Sequence, residues 1–552
     1  MISKLKSSWR PVLALLVCLA LGGCSFGTPQ QTSQTATIGT LPSSSPTTPT
    51  GSSCAPLSQA IAGFPPSLSV DCDYIYSELV QIATKYPARE SGQGARKPGH
   101  DGFANAWTQE MLKQLDGFGP TVFKDNFPIQ GYAGRPAIAP ATNVEITVAG
   151  AAHPEQIVLI GCHYDGFANS TQSAYDDASG CMIMLGMAKA LGNYWRATHT
   201  APARTLKFVL FDAEEMGILG SFQYVNQTIA GDRGQIVAMF DEEQNGVAYP
   251  ARAFGQASQP LLPFITVTDP ITPTDLYPTL EDGAHQAQFE AWRTFTTEAI
   301  RNGFSIMHAM HPSMTYLPNQ TQAVFTPQDA ADSQTIQIED DNVGGSDEVP
   351  FTLAGINCIT MSGNFSYYDG PDAPPWSYPF DQPEDTVALM NQYTGGSGAK
   401  SEGTVLSLAL PAVVSLWMMI QPDVMGVAPA PTKPVGTISD LPNNIQPGAA
   451  LLLSAPGAYA PSGSALSYRW DFGDGAAGSG PQVQHAWANA GSYTVKLTIT
   501  DSVGNSTVIQ KTVAVGQSVP TFHNRFDDYP PSDGFEPPNP YLTVPTPGPG
   551  TP

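Results

Sequence analysis

The sequence predicts an α/β fold, with a mixed, mostly parallel central sheet sandwiched by helices, followed by a small all-β, Ig-like sandwich. Three observations carry this reading. Short, nearly continuous apolar runs rich in β-branched and aromatic residues recur within residues 54–425. A long apolar helical pattern separates two of them, giving the strand, helix, strand order of an α/β sheet. Behind an Ala/Pro linker, residues 426–433, the pattern changes to short alternating strands over residues 434–516.

The N-terminal residues read as a processing signal, not as structure. Lys4, Lys6 and Arg10 precede an apolar run, residues 12–21, too short to span a membrane as a mature helix. The run ends in Leu21-Gly22-Gly23-Cys24, which resembles the lipobox of bacterial lipoproteins. That resemblance implies a signal peptide over residues 1–23 and a diacylglyceryl group on Cys24, anchoring an extracytoplasmic protein to the cell membrane. Ordinary secretion with cleavage nearby is the alternative. Residues 24–53 are almost entirely Ser, Thr, Pro, Gln and Gly, and cannot bury enough surface to offset their chain entropy. They are expected to form a disordered tether.

The globular part opens with Cys54 and Cys72, whose short separation suits a disulfide in an oxidising compartment. Cys162, Cys181 and Cys358 sit among apolar residues and read as buried thiols. Three strands follow at residues 156–162, 205–211 and 235–240, with a helix over 180–191 between the first two. A Pro-rich tail, residues 517–552, reads as disordered. The formal net charge of −24 would repel nucleic acid phosphates, and it also makes an anionic membrane surface a poor electrostatic partner.

Each predicted strand ends in a polar cluster. The first runs into His163-Tyr164-Asp165, the second into Asp212-Ala213-Glu214-Glu215 and the third into Asp241-Glu242-Glu243. A fourth cluster, Asp176-Asp177-Ala178-Ser179-Gly180, opens the helix. Singly these are ordinary: a surface pair, a helix cap, a solvated face. In an open α/β sheet, however, ligands bind at the carboxyl ends of strands, so the clusters converge on one crevice. One His crowded with carboxylates calls for a cation, and the nitrogen and oxygen donors suit zinc.

These motifs resemble the co-catalytic dizinc peptidases that include bacterial leucyl aminopeptidases, aminopeptidase Y and glutamate carboxypeptidase, whose fold is the zinc exopeptidase fold. The resemblance covers residues 74–419 and rests on HYD at His163, DDASG at Asp176, the block from Arg204 through Glu215 to Ser221, MFD at Met239, the segment opening at Ser346 and PEDT at Pro383. It implies two divalent ions, zinc, and peptide substrates. His163 and Asp241 would hold the first ion and Glu215 the second, with Asp176 bridging them through a cis peptide to Asp177. Asp165 would orient His163, and Glu214 would be the general base. The family's second-site His is replaced here by Asp381, which the motif frame places as the ligand. His308 and His311 are the alternative donors.

The C-terminal strands resemble the PKD-type sandwich found behind many secreted hydrolases, on Tyr468 through Gly475, His485 and the strand from Gly491 to Asp501. Trp470 and Tyr493 read as core aromatics, with a polymer-binding face as the alternative. The function expected is an extracytoplasmic exopeptidase, most simply an aminopeptidase. A glutaminyl cyclase and an inactive binding protein of the same fold are the competing readings.

Overall fold

The three apolar runs lie side by side at the centre of one sheet. In this computed structural model the described residues are 54–522, apart from 93–97, 130, 133–134, 168–169, 248–264, 270–282, 313–320, 324–335, 341–345, 363–377, 395–397 and 443. The signal, Cys24, the tether and tail residues 523–552 lie outside the described residues. In chain order the strands of the first domain are β1 (Thr121–Phe127), the short β2 (Gly131–Tyr132) and β3 (Arg135–Pro136), β4 (Ala141–Val148), β5 (His153–His163) and β6 (Thr200–Pro202). They continue as β7 (Arg204–Phe211), β8 (Ile236–Glu242), β9 (Ile265–Asp269), β10 (Thr321–Ala323), β11 (Ile336–Asp340) and β12 (Cys358–Ser362). The sheet order is β1-β4-β7-β5-β8-β12-β9-β11-β10. Its core, β7-β5-β8-β12, is parallel, while β1, β4 and β9 introduce antiparallel pairs.

The helices are α1 (Cys72–Lys85), α2 (Pro98–Gln114), α3 (Ser179–Thr198), α4 (Leu219–Gln223), α5 (Gly283–Met310), α6 (Val349–Leu353), α7 (Val387–Tyr393) and α8 (Glu402–Met419). On one face of the sheet α3 and α8 pack with α1, α2 and α5 in a single large core. Helix α8 is apolar and long enough to cross a membrane, yet it is almost wholly buried inside the protein. Each such buried Leu, Val or Met contributes about 1.5–3 kcal/mol by leaving water. The opposite face carries a smaller core of Ile157, Leu159, Val209, Phe211, Tyr224, Met239 and Phe351. A disulfide joins Cys54 to Cys72, closing the chain entry onto α1. Cys162 and Cys181 are also joined, with Cα atoms 5.6 Å apart, where the sequence read separate thiols. The end of β5 and the first turn of α3 meet there.

The C-terminal strands are β13 (Val427–Pro429), β14 (Leu451–Ser454), β15 (Leu466–Asp471), β16 (Ala477–Ser479), β17 (Gln482–His485), β18 (Gly491–Asp501) and β19 (Ser506–Val515). Sheets β14-β17 and β16-β15-β18-β19 close over Trp470, Trp487, Leu497 and Val513. Trp470 is fully buried and Tyr493 packs against the same core, so both serve packing. The linker is held, not free: β13 pairs with β6. The tail also begins ordered. The Asn226 side chain donates to Phe522 O at 2.7 Å, Arg233 Nη1 donates to Pro520 O at 2.7 Å, and the Arg233 guanidinium lies over the Phe522 ring. The sequence missed this return because Pro-rich composition hides a single anchoring aromatic. A cleft of about 750 Å³ separates the sandwich from the sheet, and the crevice acids described below do not line it.

Candidate metal centre

Strand ends and tight turns bring the acidic clusters together. His163 is the last residue of β5 and fully buried, and its two ring nitrogens face carboxylates that stand close but out of line for a hydrogen bond. Its Nε2 is 2.9 Å from Asp176 Oδ1, 3.4 Å from Glu243 Oε1 and 4.0 Å from Glu214 Oε2. Its Nδ1 is 3.6 Å from Asp165 Oδ1, the same oxygen that accepts from the Glu214 backbone N–H at 3.1 Å. Asp165 therefore fixes the turn that carries the second strand's acids and sets its own charge beside the imidazole.

Among the described residues, and apart from a group formed by Asp177 with the joined Cys162 and Cys181, two trios of donor atoms lie mutually within 4.8 Å: His163, Asp176 and Glu243, and Asp176, Glu215 and Asp381. Asp176 belongs to both. It sits in a non-helical turn, φ −116° and ψ 95°, and joins Asp177 through a cis peptide bond. Asp177 turns away to start α3, accepting from Gly180 N at 2.9 Å and Ser179 Oγ at 3.2 Å. Gly180 is required: a Cβ there would stand 1.7 Å from Glu242 O on β8. Asp381 adopts a left-handed φ of 60°, and Thr386, not Asp381, caps α7 by accepting from Leu389 N at 3.2 Å. His308 and His311 join neither trio, and His311 pairs with Glu402 instead.

Asp241 is not brought into either trio, and Glu243 stands in its place. The register explains why. Parallel pairing sets Gly161 of β5 opposite Asp241 of β8, so the residue opposite His163 is two further on. Asp241 lies deeper, fully buried near Asp347 and Glu348. Glu242 points to the other face and accepts from Ser415 Oγ of α8 at 2.6 Å. Three successive acids gave the sequence reading no phase, but strand alternation combined with the β5 register supplies one.

The electrostatics of the crevice favour positive charge. Burial, then the neighbouring acids, raise Glu215 well above the ordinary carboxyl range, through Asp381 and Asp176. Burial likewise raises Glu214, with Glu243, Asp347 and Asp176 adding to it against the opposing pull of His163. For His163 burial acts downward, but Glu243 and Glu214 carry it well above its usual value. A crowd of buried carboxylates that pulls a proton onto an imidazole fits a cation there. The fully buried nitrogens of His163, faced by carboxylates but in no aligned hydrogen bond, are what a metal ligand needs. Below the centre, His100 Nε2 lies 2.9 Å from Asp212 Oδ1, and Arg89 donates to Tyr164 O, Gln172 O and Ser173 O. The sequence reading missed both, because neither sits in a recognisable motif.

Parts of the chain are similar to known proteins. Residues 143–288 match the model of Peptidase family M28, and residues 432–515 match the PKD domain. Human carboxypeptidase Q is 39% identical over 85 residues, 15% of this chain and 16% of that protein. A glutamate carboxypeptidase 2 homolog of Caenorhabditis briggsae is 31% identical over 87 residues, 16% of this chain and 11% of its own length. A probable zinc metalloprotease of Pyrenophora teres f. teres is 30% identical over 112 residues, 19% of this chain and 23% of its own length. The chain thus matches a small part of these relatives. Among solved structures, BSAP, a zinc aminopeptidase from Bacillus subtilis, aligns at 14% identity and TM-score 0.40, over 63% of this chain and 95% of that one. In this chain the stretch similar to Peptidase family M28, residues 143–288, is thus followed by the stretch similar to the PKD domain, residues 432–515.

Proposed function

We propose that this chain is a metal-dependent exopeptidase, in the first place an aminopeptidase, that hydrolyses peptides outside the cytoplasm. The observation that carries it is Glu214 beside two donor trios that share Asp176. Two divalent ions, zinc by the ligand set, would be held by His163, Asp176 and Glu243 and by Asp176, Glu215 and Asp381. The four carboxylates would balance their charge. Bound there, the ions would supply Lewis acidity and lower the pKa of water. Glu214 takes a proton from the attacking water and delivers it to the leaving amine. Asp165 accepts from the Glu214 backbone N–H and lies beside the His163 ring. Acids around the crevice favour a substrate with a free α-ammonium. The run before Cys24 supports a lipid anchor, and Cys24→Ser should then shift the protein out of the detergent phase without changing activity.

Elemental analysis of the purified protein, beside a panel of aminoacyl chromogenic substrates, tests the reading. About two ions per chain are expected, with hydrolysis abolished by a chelator and restored by added zinc. Metal without hydrolysis of any aminoacyl or peptide substrate would leave a binding protein. Cyclisation of glutaminyl peptides instead would replace the peptidase by a cyclase.

A further inference from the structure

We propose that Asp385 is a positioning residue for the centre, whose carboxylate grips the backbone that carries the bridging Asp176. This rests on the reading of the trios as metal sites. Asp385 is fully buried. Its Oδ1 accepts from Tyr175 N at 2.9 Å and from the Tyr378 hydroxyl at 2.9 Å, and its Oδ2 accepts from Asp176 N at 3.1 Å. One side chain thus takes two consecutive backbone N–H groups at a helix start, where such donors lack intrahelical acceptors.

The loop bearing Asp385 does more than clamp. Four residues upstream it presents Asp381 to Asp176 and Glu215. Two further bonds stitch it to the segment before Asp176: Thr171 Oγ1 donates to Pro383 O at 2.8 Å, and Val387 N donates to Gln172 Oε1 at 3.0 Å. The Tyr175 and Tyr378 rings pack with centroids 4.7 Å apart. The loop therefore supplies one donor and fixes the backbone of the donor shared by both trios. Slackening it moves Asp176 against His163 and Glu215 together, so both ions should weaken at once.

The test is calorimetric titration of chelator-stripped full-length protein with zinc. Asp385→Asn keeps the shape but turns one acceptor into a donor facing an N–H. It should weaken both ions by about 10–100-fold, the usual cost of losing a group that orients a metal ligand. Tyr378→Phe removes one donor to the clamp and should weaken both by about two- to tenfold, the worth of one hydrogen bond, even if Asp385→Asn fails to fold. Thr386→Ala removes the α7 cap without touching the clamp and should leave zinc affinity unchanged. Wild-type zinc affinity in Tyr378→Phe and in a folded Asp385→Asn overturns the inference. So does a loss in Thr386→Ala equal to that in Asp385→Asn, which would mark a merely structural role. A wild-type protein that binds no zinc overturns the metal reading itself, and the inference with it.

Discussion

Replacing Asp440 by Ala should loosen the sandwich from the large sheet. Lys207 of β7 is nearly inaccessible, with Nζ 2.9 Å from Glu145 Oε1 on β4 and 2.7 Å from Asp440 Oδ2 on the sandwich. The second oxygen of Asp440 lies 3.6 Å from Lys511 Nζ, which in turn reaches Asp232 Oδ2 at 2.6 Å. Five charged groups from two domains thus share one buried seam. Burial acts to raise Asp440, but Lys207 and Lys511 carry it down to about 2. Removing one partner of a buried pair costs about 3–5 kcal/mol, because the charge left behind stays desolvated. Lys207 keeps Glu145, so the low end, about 3 kcal/mol, is expected. At about 2.1 cal/mol/K of unfolding entropy per residue, a cooperative unit of this size shifts by about 1 °C per kcal/mol, so melting should fall by about 3 °C. Scanning calorimetry of the full chain is the assay, with Lys207→Met and the double variant completing a cycle whose coupling should be about 0.5–3 kcal/mol. A depressed acid stabilises above its unfolded pKa, so the Asp440 contribution holds above about pH 4 and fades as pH falls through about 2. A melting point within 1 °C of wild type, or a sandwich that already melts separately in the wild type, would refute the seam.

Three further outcomes follow from the site. Glu214→Gln should keep metal content while turnover falls about 10²–10⁴-fold, measured on an aminoacyl chromogenic substrate. Asp381→Ala and Glu243→Ala should each lower the metal content found by elemental analysis, whereas Asp241→Asn and the double change at His308 and His311 should not. His100 is pulled down by burial but carried up to about 10 by Asp212 and Asp101, so its pair stabilises fully below its ordinary value and is lost as pH rises through about 10. The wild-type melting temperature should therefore decline over that alkaline range, and His100→Gln should start lower at pH 7 and show a flatter decline.

The central strands were legible because buried parallel strands are continuous apolar runs, and β5, β7 and β8 lie within three residues of the expected bounds. The convergence of their polar ends followed from topology alone. What stayed hidden needed three dimensions. Choosing Glu243 over Asp241 requires the register between β5 and β8, a non-local quantity. The Lys207 and Glu145 pair looks like strand polarity until the sandwich covers it. Composition placed the tail's start with the disordered segments, yet Phe522 docks on Asn226 and Arg233.

The turns around the centre suggest how stability and chemistry are divided between scaffold and loops. Ser173, Ala213, Gln244 and Asp381 all have positive φ, and each stands within three residues of a trio member or is one. Such conformations cost energy in residues other than glycine and persist where the surroundings over-determine them. Asp is among the residues that tolerate the left-handed region, so Asp381 can supply its oxygen from a turn that a β-branched residue would resist. The donor positions are thus set by tight turns clamped by Arg89, Asp165 and Asp385, while the folding free energy comes from the cores packed on the sheet. The two should separate under mutation. Opening the seam at Asp440 should lower melting and spare metal binding, whereas Tyr378→Phe, which removes one hydrogen bond from the clamp, should weaken metal binding and largely spare melting. A variant that moved both in proportion would mean that the turns are held by the scaffold alone, and the clamps would then be passengers.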